Sequence, residues 1–262
     1  MPKKDTNESV KYLDIVFLGE ISMSIFEETK NKLHKNVTDI GFKLKGRTYY
    51  RLMDRYVQGF KIYTYNLSFS IRFFQQPLCF DIDKKYEGDD IHKFWSGIGP
   101  FSIVGIYTGD DSYSPNPFGI KVTPENYVNE ASEILIRSFN EYLLPWFERS
   151  DTIEKAYEEN CLMFHHDGKY PAGRYPWLLQ MGKWLEAAEF INERIKELKL
   201  YESMPDYIGG SLTSNLEELH NAIIKNDNSF VLDYIHTQER QTIKSLGFTR
   251  VFNKFNNKSI KS

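Results

Sequence analysis

The chain predicts an α+β fold: an N-terminal helix and an antiparallel sheet of about four to five strands, followed by a helical C-terminal half. Three observations point there. A stretch with apolar residues at helical spacing stops at Gly41, and the run from Gly46 to Ile82 is then dense in β-branched and aromatic residues. From Thr123 the apolar spacing returns to the helical period and keeps it to Gly247. The chain thus divides into a helix-plus-sheet region over 1–122, a helical region over 123–248 packed on or beside the sheet, and a basic tail over 249–262. The tail carries Arg250, Lys254, Lys258 and Lys261 without an acid and is expected to be solvated and disordered.

In the first helix Phe26, Leu33, Val37 and Ile40 share a face, Ser24 with Glu27 forms a capping box, and Gly41 suits the left-handed position after a helix. Strands are expected in "RTYYRL", "VQGFKIY", "NLSFSIRFF" and "FSIVGIYT", with turns at Met53-Asp54-Arg55 and near Asn66. Two loops rich in Asp, Gly and Pro, "DKKYEGDD" and "GDDSYSPNPFG", interrupt the pattern. Thr123-Pro124-Glu125 supplies an N-cap, a first-turn proline and a dipole-matched acid for a helix faced by Val128, Ala131, Leu135, Phe139 and Tyr142 and ending near Pro145. Asp151 with Glu154 opens another helix, and "YPWLLQMGKWLEAAEFINERIKELK" is helical with a break at Gly182. Ser214 with Glu217 caps a helix through Ile224, and a last one closes at Gly247. The helices pair, yet no fixed period or repeated motif marks a solenoid.

Apolar residues make up 41% of the chain and aromatics 15%, the latter a high share that suggests a core or binding surface built on rings. Thirty-three basic against thirty-six acidic residues leave a net charge of −3, which argues against nucleic acid as the partner. "MPKKDTNESV" is polar and "IVFLG" too short for a signal core or a membrane span, so a cytoplasmic protein without membrane contact is expected. Cys79 and Cys161 lie far apart outside any Cys-x-x-Cys pattern and are expected as buried thiols.

Each motif that hints at chemistry fails on context. "GFKLKGRT" lacks only the lysine of a phosphate-binding loop, but the order here is helix, glycine, strand, the reverse of what aims backbone N–H groups at a phosphate, and Arg47 replaces the compact ammonium. In "DIDKKYEGDD", Lys85 and Tyr86 stand where a calcium loop needs a ligand and a glycine. Glu158, Cys161 and His165 share helical spacing that a metal could use, without a paired Cys or a His-x-x-x-His to complete the set. "GGS" at Gly209 is no nucleophile elbow. No catalytic residue, cofactor or metal is assigned, and the chain is expected not to be an enzyme.

The sheet offers a different prospect. Alternation in "NLSFSIRFF" turns Leu67, Phe69, Ile71 and Phe73 to one face and Ser68, Ser70, Arg72 and Phe74 to the other. Arg47, Tyr49 and Arg51 share a face, as do Lys61, Tyr63 and Tyr65, so a basic and aromatic surface can assemble. Alternatively helices cover it, with arginine stems lying over rings.

The order amphipathic helix, "GFKLKGRTYYR", "VQGFKIY", a polar-aromatic strand and a later "LLPWFERSDTIEKA" resembles the bacterial family catalogued as domain of unknown function 4304, over roughly Phe26 to Ala156. The resemblance implies an α+β fold and a small cytosolic accessory protein, in some members encoded beside polymorphic toxin systems; it supplies no established activity and no functional residues. The expectation is a protein-binding module, an immunity protein whose partner is a basic toxin domain. Its contact residues are expected at Asp89, Asp90, Asp110, Asp111 and Tyr113 in the acidic loops and at Arg47, Tyr49, Arg51 and Arg72 on the sheet. Exposed aromatics would also allow a homodimer. The alternatives are an enzyme assembled from scattered groups such as Glu158, His165 and Asp167, and a binder of nucleic acid or an acidic ligand through Arg47, Arg51, Lys61 and Arg72.

Overall fold

Helix α1 runs from Asn7 to Asp39, well upstream of the capping box expected to start it. Ser24 lies inside the helix instead. From Asn7 to Ser22 there is no proline, and the one glycine, Gly19, costs only about 1 kcal/mol, too little to stop a helix. The exit is as expected: Gly41 takes φ 94° and Phe42 N–H donates back to Val37 O at 3.0 Å. Of the predicted face, Phe26, Leu33 and Val37 are buried and Ile40 is exposed.

This computed structural model describes residues 7–65, 68–79, 105–106, 126–163, 171–202 and 210–248, with side chains described over 23–63, 69–71, 73–79, 126–161, 174–200 and 213–248. Strands β1 (Lys43–Lys45), β2 (Thr48–Leu52), β3 (Tyr56–Tyr65), β4 (Ser68–Pro77) and β5 (Gly105–Ile106) form an antiparallel sheet in that order. Lys45 pairs with Thr48, so Gly46 and Arg47 are a two-residue hairpin loop, with Gly46 at φ 60° in the left-handed first position such a loop requires. The string that mimics a phosphate-binding loop is a β-hairpin.

The chain clusters into two units, one comprising Met1–Arg51, Gly59–Phe74 and Ile98–Arg149, the other Leu52–Gln58, Gln75–Gly97 and Ser150–Ser262. In the first, both faces of the sheet are buried. On one, Tyr49 stacks on Phe60 at 4.8 Å, Phe42 and Phe139 close on Phe60 at 5.4 and 4.8 Å, and Phe73 meets Trp146 edge-on at 5.0 Å. On the other, Tyr50 and Phe74 meet edge-on at 5.9 Å over Gly59, where an added Cβ would lie 2.3 Å from Phe74 Cζ.

Helix α2 (Tyr127–Ser138), a π-helical turn (Phe139–Leu143) and α3 (Leu144–Arg149) follow one another without a break. The helix expected to end near Pro145 therefore continues to Arg149. Proline has no N–H and its ring crowds the carbonyl four residues back; the backbone widens so that Leu144 N–H donates to Phe139 O, and the helix passes through. The cap at Thr123 lies outside the described residues. These helices, which the sequence assigns to the region 123–248, cluster with the sheet.

The second unit holds α4 (Ile153–Met163), α5 (Pro171–Gln180), α6 (Trp184–Glu202), α7 (Gly210–Ile224) and α8 (Asn228–Leu246). Thr152, rather than Asp151, caps α4 by accepting from Lys155 N–H, and Ser214 lies within α7, which opens earlier at Gly210. Leu178, Ile191, Leu219 and Ile235 belong to one core shared by α5 to α8. Two turns match bond for bond. Lys183 N–H donates to Leu178 O and Asp227 N–H to Ala222 O, each at 2.9 Å, while Gly182 and Asn226 take φ 77° and 56°. The same bond also closes α1 and α8, but these two turns stand 44 positions apart (226 minus 182), as do the first and the last residues of α6 and α8, so hairpins α5–α6 and α7–α8 correspond although no sequence motif shows it.

Candidate binding surface

Arg47, Tyr49 and Arg51, three of the sheet residues singled out from sequence, are engaged within their own unit, and Lys61 on β3 is half-buried. The Arg47 guanidinium lies 5.1 Å above the Phe26 ring and donates to Met23 Sδ at 3.5 Å. Arg51 lies 4.7 Å above Phe42 and 6.0 Å from Phe147, and donates to Ile40 O at 3.2 Å. Tyr49 is fully buried, with its hydroxyl 3.3 Å from His34 Nδ1; burial, then the Glu27 charge, pushes its phenol up to about 12. The arrangement is the covered one, with α1, α3 and Phe42 as the cover, so Tyr49 offers no contact surface. The Arg72 side chain, Asp89, Asp90, Asp110, Asp111 and Tyr113 lie outside the described residues.

In the second unit Gln180, at the end of α5, is a junction. Its Oε1 accepts from Cys79 N–H at 2.9 Å, its carbonyl from Arg55 at 3.0 Å, and its Nε2 donates to buried Glu239 at 2.5 Å. Glu239 also meets the exposed His236 imidazole at 3.0 Å. Every member serves another, and the network pins the Arg55 turn and the end of β4 to α5 and α8. Its signal in the sequence was slight: a glutamine before Met181-Gly182 and a glutamate inside a helix.

Neither cysteine is in a disulfide; Cys79 is buried and Cys161 half-buried. Burial pushes the Cys161 thiol up, and Tyr157 beside it is pushed to about 12 by burial and then by Cys161. Both conditions favour the neutral, weakly nucleophilic form. Glu158 and Cys161 stand on α4 as expected, while His165 and Asp167 lie outside the described residues. Among the described residues no group of three or more His, Cys, Asp or Glu could hold a metal ion. No described helix is long and apolar enough to cross a membrane.

What sequence reading missed is the surface of the helical unit. Of seven large apolar side chains exposed among the described residues, five lie on α6 to α8: Leu185 68%, Leu200 70%, Ile224 56%, Phe230 38% and Leu232 43%. Exposed charges of both signs flank them: Glu186, Glu189 and Lys199 on α6 with Lys183 just before it, Lys225 and Asp227 in the α7–α8 turn, and Asp233 on α8. Comparison with family models, with curated proteins and with solved structures found no match, so the family resemblance rests on the strings quoted above.

Proposed function

We propose that the chain is a non-catalytic protein-binding module, an immunity protein or inhibitor that neutralises a cognate toxin. The observation that carries the binding reading is that five of the seven exposed large apolar side chains among the described residues lie on α6 to α8, flanked by exposed charges of both signs, as at the polar rim of a protein contact. The immunity reading draws on the family resemblance. The nucleic-acid alternative loses support because Arg47 and Arg51 are spent on rings and carbonyls of their own unit.

The test is affinity capture of the tagged full chain from its native lysate, with products of neighbouring genes present, at low and high salt. One dominant protein retained at both salts is expected. No partner, or nucleic acid released as salt rises, would refute the reading.

A further inference from the structure

The outward side of α6 is lined by Leu185, Glu189, Asn192, Lys196 and Leu200, exposed residues at steps of four, three, four and four. That spacing makes one stripe along the helix, turned away from Ala188, Ile191, Ile195 and Leu198 in the shared core. Leu185 and Leu200 close its two ends, and at 68% and 70% they are the most exposed large apolar side chains among the described residues. The charges between them are sorted, with Glu189 nearer the N-terminus of the helix and Lys196 nearer its C-terminus. Arg194 pairs with Glu197 and Lys199 with Glu217, whereas Glu189 and Lys196 have no ion-pair partner among the described residues.

The stripe is symmetric about the point between Asn192 and Glu193: Leu185 and Leu200 stand equally far from it along the helix, and so do Glu189 and Lys196. Within one helix Glu189 and Lys196 are seven positions apart (196 minus 189), about 10 Å along the axis, beyond the three or four positions at which helical side chains meet. Two such helices laid antiparallel about a two-fold axis at that point set each Leu185 against Leu200 of the other copy and each Glu189 against its Lys196. Each acid then gains a base, and each exposed leucine gains an apolar neighbour.

From this symmetry we infer that α6 is the contact helix of a homodimer, in which a second copy of the chain packs its α6 antiparallel to the first about that two-fold axis. The contact is isologous, so every pairing in it occurs twice. Antiparallel packing also sets the two helix dipoles favourably against each other. One repulsion is built in: Glu193 lies beside the axis and faces Glu193 of the other copy at the edge of the contact. With that cost, and with a single helix face burying less than the roughly 1,200 Å² of a stable interface, the dimer is weak and concentration-dependent. The pairing goes beyond the toxin-binding reading and uses none of Ile224, Phe230 and Leu232, which lie on α7 and α8.

The test is sedimentation equilibrium of the purified full chain from about 1 to about 500 μM, where a dimer with a micromolar dissociation constant is expected. Glu189→Lys alone and Lys196→Glu alone each set like charges together twice per dimer, and each should weaken it by at least about fivefold. An equimolar mixture of these two variants regains opposite charges at both places and should dimerise about as tightly as the wild type. The chain carrying both exchanges should do the same. Leu185→Asp should weaken the dimer by about tenfold. All these positions are exposed, so unchanged circular dichroism is expected. A chain that stays monomeric over the whole range would overturn the inference. So would a dimer that tolerates both single exchanges, or a mixture of the two that associates no better than either alone. None of these outcomes decides the partner-binding reading, which affinity capture tests separately.

Discussion

Replacing Gly59 by alanine should destabilise the protein, although propensity alone says otherwise. A glycine inside a strand carries an entropic cost of roughly 0.5–1 kcal/mol relative to alanine, which would make the substitution favourable. The new Cβ, however, would fall 2.3 Å from Phe74 Cζ, 2.4 Å from its Cε1 and 3.1 Å from Tyr49 O. Carbon atoms pack best at about 3.5–4.0 Å, so the ring must retreat by more than about 1 Å. Phe74 is buried and held edge-on by Tyr50, with little room to retreat. Overpacking of this kind costs about 1–3 kcal/mol, and because two ring atoms lie within 2.4 Å the upper part applies, about 2–3 kcal/mol, leaving a net loss of about 1–2.5 kcal/mol after the backbone gain. At about 2–4 °C per kcal/mol for a chain of this size, that lowers Tm by about 2–10 °C in calorimetry. In a Phe74→Leu background the loss should shrink, giving a coupling of about 1 kcal/mol in the double-mutant cycle. A Tm that rises in Gly59→Ala, or an undiminished loss in the leucine background, would refute the claim that the Tyr50–Phe74 face of the sheet is packed.

Further outcomes follow from single contacts. Asp227→Ala removes the acceptor for Phe230 N–H and should cost about 1 kcal/mol in urea unfolding, while Asp227→Ser should recover most of it. Asn226→Gly should stabilise by a few tenths of a kcal/mol, because Asn226 is held at φ 56°. Tyr56 and Gln58 both donate to the Ser150 carbonyl, so Tyr56→Phe alone should cost about 0.5–1.5 kcal/mol. Adding Gln58→Leu should cost more than the sum, because the buried carbonyl is then orphaned. The contribution of Tyr49 and Tyr50 to stability should be constant below about pH 9 and be lost between about pH 10 and 12. Burial raises Tyr49 and Tyr50 from 10.0 to about 12, so the unfolded chain releases their protons first as pH rises. A urea midpoint unchanged across that window would contradict the burial of both rings.

Features set by one residue's backbone freedom were legible in the sequence. Gly41, Gly182 and Gly247 each take the left-handed conformation at a helix end, which few other residues adopt cheaply. Caps inferred from side-chain type alone were not, since Ser24 and Ser214 lie inside helices and any serine followed by a glutamate matches the pattern. Charge misled on the sheet. Arg47 and Arg51 suggest an open face, but long stems let guanidinium groups reach carbonyls and edges while covering rings. Pro145 suggests a helix end, and one widened turn absorbs it. The hairpin repeat was hidden because geometry rather than identity is repeated: Gly182 answers to Asn226 and Gln180 to Ile224. That last pair, a buried amide in one hairpin and an exposed isoleucine in the other, is where the candidate surface lies.

Hydrogen exchange of the full chain, alone and with its captured partner, tests the central claim most directly. Binding at the helical surface predicts slowed exchange across the α7–α8 turn, from Asn221 to Leu232, with the β1–β2 hairpin at Gly46 and Arg47 unchanged. Protection at the hairpin and none at the α7–α8 turn would contradict it.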